Sequence, residues 1–207
     1  MKLTDSPVAI TLLVANVLIS LWAMFIRRDY YFYFAEKPYE IVYNRKYYQL
    51  ITSAFLHADL FHLMFNMLAL FSFGTYLESF FSSRLGPEIG SLYFAIIYFV
   101  SLLTGSLLTT IFNFRNPQYI AVGASGAISG IIFSFIIFFP KSQILVFFIP
   151  IPAYMFAFLY IIISVIGMKN KFGNIGHEAH LGGAIGGLIT TFLLIDKSFS
   201  IFLSYFS

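Results

Sequence analysis

The chain has no cysteine. That excludes a disulfide framework, a thiolate nucleophile and any cysteine-ligated metal site. It is also short of charge. Of its 207 residues, 10% are Asp, Glu, Lys or Arg, where soluble domains carry about 25%. So few charges cannot cover a water-facing surface of this size. The formal net charge is only +3, spread over several short connections. No nucleic-acid partner is expected from so thin a basic footprint.

What the chain has instead is apolar bulk. It is 59% hydrophobic, with 27 Phe and 14 Tyr, and its charges fall between apolar runs rather than through them. That pattern belongs to a polytopic membrane protein. The first run follows Lys2 and begins at Pro7. Trp22 to Arg28 offers no small-residue cleavage pattern, so the run reads as a retained span rather than a signal peptide.

About 20 apolar residues cross a bilayer as a helix. By that measure the spans are roughly 7–26, 57–81, 91–112, 123–139, 143–166 and 178–195. The expectation is an all-α polytopic membrane protein, a compact bundle of six transmembrane helices. It forms a single domain over 1–207 with its core at about 45–195. Pro150 and Pro152 are expected to bend the fifth span near its middle. The Phe-rich stretch FFIPIPAYMFAF around them reads most simply as an ordinary lipid-facing surface, and alternatively as a gate where spans two and five part to admit a substrate helix. The tail SFSIFLSYFS is expected to lie against the membrane or the bundle. The long Tyr-rich connection 27–56 suits the membrane interface, either as an ordinary loop or partly embedded beside the bundle.

Orientation can be counted from charge. With the N-terminus inside, the inner segments carry Lys2, Arg84, Lys141 and Lys197. The outer ones carry Arg27, Arg28, Lys37, Arg45, Lys46, Arg115, Lys169 and Lys171. Four against eight favours an N-terminus outside.

Polar groups within spans are costly and are functional candidates by default. Spans two, four and six enter the membrane from the same side. His62 and Asn66 lie near the start of span two, Ser125 near the start of span four and His180 near the start of span six. All four therefore share one leaflet, whichever side that is. Ser125 and His180 form a candidate nucleophile and base: a serine hydroxyl needs an adjacent base, and histidine can take the proton and return it to a leaving amine. The approach this requires is provided for. Gly126 and Gly130 thin span four, while Gly183 and Gly187 follow His180 by three and seven residues on its own face of span six. Gly182 and Gly186 thin a second face. His62 and Asn66, four apart, share a face and can both donate. With the Ser125 backbone N–H, one of the span-start amides that lack intrahelical partners, they are candidates for an oxyanion hole. No Asp or Glu is placed as a third member, so a dyad is expected.

Each residue alone has a plainer reading. Ser125 in GASG, and the glycines, read as helix packing. His62 or His180 reads as an interfacial histidine bonded to backbone, and Asn66 as glue between helices. It is the four at one depth that favour chemistry. A metal is the rival constellation: HEAH at 177–180 has one residue too few for the zinc pattern HExxH, yet His177 and His180 could share an ion with His57 or His62.

On these motifs the chain resembles the rhomboid family of intramembrane serine proteases, over about residues 45–190. The family's Gly-x-Ser-Gly is GASG at 123–126, its Ala-His-x-x-Gly is AHLGG at 179–183, and its His-x-x-x-Asn is HLMFN at 62–66. LITSAFLHADLFH at 50–62, with His57, and the pair Gly74 and Glu78 also resemble it. The resemblance implies a Ser125–His180 dyad, with His62 and Asn66 as oxyanion donors. Gly123, Gly126, Gly183, Gly187 and His57 are implied as support, with no cofactor and no metal. It implies single-pass or polytopic membrane-protein substrates in a lipid bilayer, an N-terminus inside, and an active site on the extracytoplasmic side of a prokaryotic cell membrane. A catalytically inactive rhomboid-like binder and a small transporter or channel are the competing classes. The chain departs from the family at three places, one of them the stretch from Glu78 to Gly86, which is longer than the compact form of that turn. Tyr48-Gln49 stands where a Trp-Arg pair is frequent. Ser129 stands where an aromatic often supports the histidine.

Overall fold

A computed structural model of the chain describes residues 5–146, 148–170 and 176–206. Lys2 and Lys171, counted above for orientation, lie outside the described residues. Helix α1 spans Pro7–Phe25, with proline at its first position, where no N–H is needed. Three short helices follow in the first loop: α2 (Arg28–Phe34), α3 (Pro38–Asn44) and α4 (Gln49–Thr52), the last running into a 3-10 turn at Ser53–Phe55. Helices α5 (Leu60–Ala69) and α6 (Thr75–Leu85) are joined through a π-turn at Leu70–Gly74 into one rod, Leu60–Leu85. Then come α7 (Pro87–Asn113) and α8 (Ser125–Phe138). A two-stranded antiparallel hairpin, β1 (Gln143–Val146) and β2 (Ile149–Pro152), leads into α9 (Ala153–Asn170). Helices α10 (His177–Leu194) and α11 (Ser198–Ser204) complete the described fold.

Among the described residues the fold is all-α apart from that hairpin and an isolated bridge between Glu36 and Ala121, and it is a multi-pass membrane protein. Among the described residues four helices are long and apolar enough to cross a bilayer: Pro7–Phe25, Leu60–Leu85, Pro87–Asn113 and Ala153–Asn170. His177–Leu194 makes a fifth if it is taken together with Ser198–Ser204, from which it is bent by 108°. The tail thus turns sharply back, and Tyr205 Oη donates to Phe138 O at 2.9 Å. Helix α8, with 14 residues, falls short of the roughly 20 that a span needs. Every residue from Gly126 to Phe138 is nevertheless buried. A helix apolar all round is a core helix, and α8 is the post around which the others pack.

Pro150 and Pro152 do not bend a helix. They lie in β2, paired with Leu145 and Gln143, and α9 begins at the next residue. Proline lacks the N–H and crowds the preceding turn, so two of them two residues apart stop a helix from forming. The strand of an isolated hairpin tolerates them because one edge is unpaired.

Glu78 joins three helices. Its carboxylate accepts from Val8 N at 3.0 Å, Ala9 N at 2.7 Å and Ser91 Oγ at 2.6 Å. The first two are amides of the opening turn of α1, which have no partner within their own helix. On the opposite side of the bundle the first loop is tied to the chain entering α8. Glu36 exchanges both backbone hydrogen bonds with Ala121, at 3.0 and 2.9 Å, and Gly123 N donates to Ser53 O at 3.0 Å. Gln49 is buried, accepting from Lys37 N at 3.1 Å and donating to Tyr33 O at 3.1 Å, while the Tyr48 ring stacks on Tyr33. Tyr48-Gln49 is thus what closes the first loop on itself.

Candidate active site

Gly123 has φ +123°, a region that side chains disfavour. A Cβ there would also stand 2.8 Å from His62 Cε1 and 2.9 Å from its Nε2. Glycine is therefore required twice over, for the turn into α8 and for the imidazole beside it. Two residues on, Ser125 opens α8, so its amide is among those with no helical acceptor.

His180 reaches this point because α8 and α10 touch backbone to backbone. A Cβ on Gly183 would lie 1.9 Å from Gly126 O, and one on Gly187 would lie 2.4 Å from Gly130 Cα. The other glycine face of α10 packs on α7, where a Cβ on Gly182 would meet Thr104 O at 2.6 Å. With both faces clamped, His180 Nε2 comes to 2.8 Å from Ser125 Oγ.

His62 and Asn66 sit on the first turns of α5. Asp59 caps that helix, accepting from His62 N at 2.8 Å. The His62 Nδ1 faces Ala58 N at a long 3.5 Å. A ring accepting there carries its proton on Nε2, the atom turned toward Gly123. Asn66 is buried and donates one amide hydrogen to His62 O at 2.9 Å; its second remains to be used. His57 is fully buried behind His62, ring centroids 5.0 Å apart. Ser20 Oγ lies 2.8 Å from His57 Nδ1 and donates to Phe55 O at 2.9 Å. Having spent its one hydrogen on the carbonyl, Ser20 must accept from His57. Burial, then neighbouring His62, pushes the His57 pKa down to about 3, so this ring stays neutral. Ser125 and His180 are thus in contact, and His62 is against Gly123. His57 and the four glycines hold the surrounding backbone and rings.

His177, the other histidine of HEAH, is buried against α9. A Cβ on Gly167 would lie 2.3 Å from its Nε2. Among the described residues no group of three or more His, Asp or Glu is arranged to hold a metal ion.

One residue at the site was not singled out from the sequence. Tyr160 of α9 lies over His180, ring centroids 5.8 Å apart and planes inclined by 32°, and its hydroxyl is hydrogen-bonded to Ser129. The aromatic ring expected at position 129 is therefore delivered from another helix. A signal existed: a phenol in the middle of an apolar run needs a partner, and Ser129 is the hydroxyl that α8 buries one turn below Ser125.

A family profile described as "Rhomboid domain" matches residues 44–197. The chain belongs to the rhomboid family. The match includes His57, His62, Asn66, Gly123, Ser125, Tyr160 and His180. Rhomboid protein 1, mitochondrial, of Saccharomyces cerevisiae is 33% identical over 149 residues, 68% of this chain and 40% of that protein. RHOMBOID-like protein 1 of Arabidopsis thaliana is 32% identical over 160 residues, 76% of this chain and 37% of its own length. Rhomboid protease GluP of Bacillus subtilis is 32% identical over 154 residues, 74% of this chain and 27% of its own. This rhomboid thus spans less than half the length of these relatives.

Proposed function

We propose that this rhomboid is an intramembrane serine endopeptidase that cleaves transmembrane segments of single-pass or polytopic membrane proteins. One observation carries the reading: Ser125 Oγ and His180 Nε2 lie at hydrogen-bond distance, 2.8 Å, across two different helices. A serine brought to a histidine by two pairs of glycines is an arrangement that packing alone does not require. The name of the relative GluP, a rhomboid protease, agrees with it.

In this mechanism His180 Nε2 takes the Ser125 proton as Oγ attacks the scissile carbonyl. The negative charge that forms on the carbonyl oxygen meets the Ser125 N–H, the His62 Nε2–H and the free Asn66 amide hydrogen. His180 then gives its proton to the leaving amine, and water hydrolyses the acyl-enzyme by the same base. A substrate helix must unwind locally, because a helical carbonyl is already hydrogen-bonded. The chemistry calls for no cofactor or metal.

The same reading takes α1, the α5–α6 rod, α7, α8, α9 and α10 as six spans of a single domain over 1–207, with its core at about 45–195. The N-terminus is inside, and the dyad faces the extracytoplasmic side of a prokaryotic cell membrane. The test is purified protein in liposomes with a model transmembrane substrate. Ser125→Ala and His180→Ala should each abolish cleavage while leaving thermal unfolding intact. Cleavage retained by either variant overturns the assignment.

A further inference from the structure

Tyr160 sits midway along α9, and its contacts run in two directions. Its ring lies on the His180 imidazole at a centroid distance of 5.8 Å, within the range where aromatic rings attract. Its hydroxyl meets Ser129 Oγ. Ser129 Oγ in turn lies 2.6 Å from Ser125 O. A carbonyl oxygen only accepts, and a serine has one hydroxyl hydrogen. Ser129 therefore donates to Ser125 O, and Tyr160 must donate to Ser129. The hydrogen bonds run one way, from Tyr160 through Ser129 to the carbonyl of the serine itself. One side chain touches the base with its face and the backbone of the nucleophile through a single relay.

Among the four helices long and apolar enough to cross a bilayer, the one that carries Tyr160 is the least buried within the protein. Of the 18 residues of α9 only Ala153, Ser164 and Gly167 are buried. Its second close approach is at Gly167, two turns beyond Tyr160 on the same face, where His177 leaves no room for a Cβ. These two approaches of α9 fall on the histidines of HEAH, one turn apart on α10. If α9 separates from α8, the Tyr160 phenol loses its acceptor in a medium that offers no other. At the same moment His180 loses the ring against it.

We propose that Tyr160 is a positioning residue for the dyad, and that docking of α9 and the working geometry of His180 are a single equilibrium. This rests on the Ser125–His180 reading given above.

The experiment compares the wild type with Tyr160→Phe, Tyr160→Ala, Ser129→Ala, Tyr160→Phe with Ser129→Ala, and Tyr160→Ala with Ser129→Phe. Labelling of Ser125 by a small fluorophosphonate reads the dyad without requiring a substrate helix to enter. Cleavage of a transmembrane substrate gives kcat and KM. Tyr160→Ala is expected to slow labelling and lower kcat by about 10- to 100-fold, with KM nearly unchanged. Tyr160→Phe and Ser129→Ala break the same relay, so the double variant should be no worse than either single one. Tyr160→Ala with Ser129→Phe returns a ring from α8 and should recover most of the lost rate. Normal labelling in Tyr160→Ala, an effect confined to KM, or additive losses from the two relay variants each overturn the proposal. If Tyr160→Ala does not fold, Tyr160→Phe alone decides the relay. Should the wild type itself resist labelling, the dyad reading fails. The positioning claim is then read from the ¹⁵N-histidine NMR spectrum. A single ordered His180 ring that becomes averaged in Tyr160→Ala supports it, and an unchanged ring overturns it. Spin labels on cysteines placed at exposed Ile163 of α9 and Ile111 of α7 test the coupling in a chain with no cysteine of its own. Tyr160→Ala should broaden that distance distribution, and an unaltered one overturns the coupling.

Discussion

The carbonyl oxygen of Gly126 lies where a Cβ on Gly183 would have to be, at 1.9 Å. Helices α8 and α10 are therefore as close as two backbones can come, and Ser125 and His180 are each one turn or less from that contact. The obstacle to any side chain at 183 is backbone, which cannot swing aside as a flexible side chain would.

Gly183→Ala should push α10 off α8 and separate the dyad. A displacement of about 1 Å costs on the order of 100-fold in rate. Labelling of Ser125 by a fluorophosphonate should fall by at least that factor, and the thermal midpoint should drop. Wild-type labelling in this variant would show that the backbone contact does not set the dyad geometry.

Asn66 already spends one amide hydrogen on His62 O, which fixes the direction of the other. Asn66→Ala should lower kcat by roughly 100- to 1,000-fold with KM nearly constant, because the oxyanion forms in the tetrahedral transition state and intermediate and not in the bound substrate. A raised KM with unchanged kcat would make Asn66 a ground-state contact and overturn the oxyanion role proposed for it.

Glu36 is buried in the first loop, with Thr110 Oγ1 donating to it at 3.3 Å. Burial raises its pKa to about 8, so the folded protein holds it neutral. A raised pKa contributes stability that is complete below about 4.5 and is lost as pH climbs through about 8. His57, pushed down to about 3, works in the opposite sense and only below its unfolded pKa of about 6.5. Between pH 6.5 and 8 Glu36 therefore dominates among the groups outside the spans. Stability should fall there by up to about 1.4 kcal/mol per pH unit, and Glu36→Gln should flatten the curve. Parallel wild-type and Glu36→Gln profiles of thermal midpoint against pH would refute this.

Glu78→Ala strips the opening turn of α1 of its acceptor and releases Ser91 of α7. Leaving such groups unsatisfied costs roughly 3 kcal/mol, seen as a lower unfolding midpoint in detergent. Cleavage per folded molecule should persist at low temperature. Loss of activity without loss of stability would mean that Glu78 has a role beyond holding α1.

Much of the site was legible because its signals are local. Gly126 and Gly130 on one helix, Gly183 and Gly187 on another, repeat at helical spacing, and the structure seats them against each other in that order. His62 and Asn66 share a face for the same reason, and their bond is an i−4 bond of one helix. Pro150 and Pro152 were legible as breakers of regular structure but not as β2. A hairpin is specified by which segments pair, and an apolar run of this kind fits a helix equally well. The bounds of α8 were legible to within two residues, 123–139 from the sequence against Ser125–Phe138 in the structure.

The amino-acid sequence by itself determined that this is a multi-pass membrane protein, because charge is too scarce for water. From the expectation of alternating spans it also put Ser125, His180, His62 and Asn66 near one face, and the structure brings Ser125 to His180 and His62 to Gly123. Only the tertiary structure decided what stands behind those residues. Ser129 sits on α8 and Tyr160 on α9, 31 residues later. No periodicity relates two helices separated by a loop and a hairpin. Their meeting over His180 follows from how α9 docks, and docking is settled by the packing of whole faces, which no single stretch of the chain encodes.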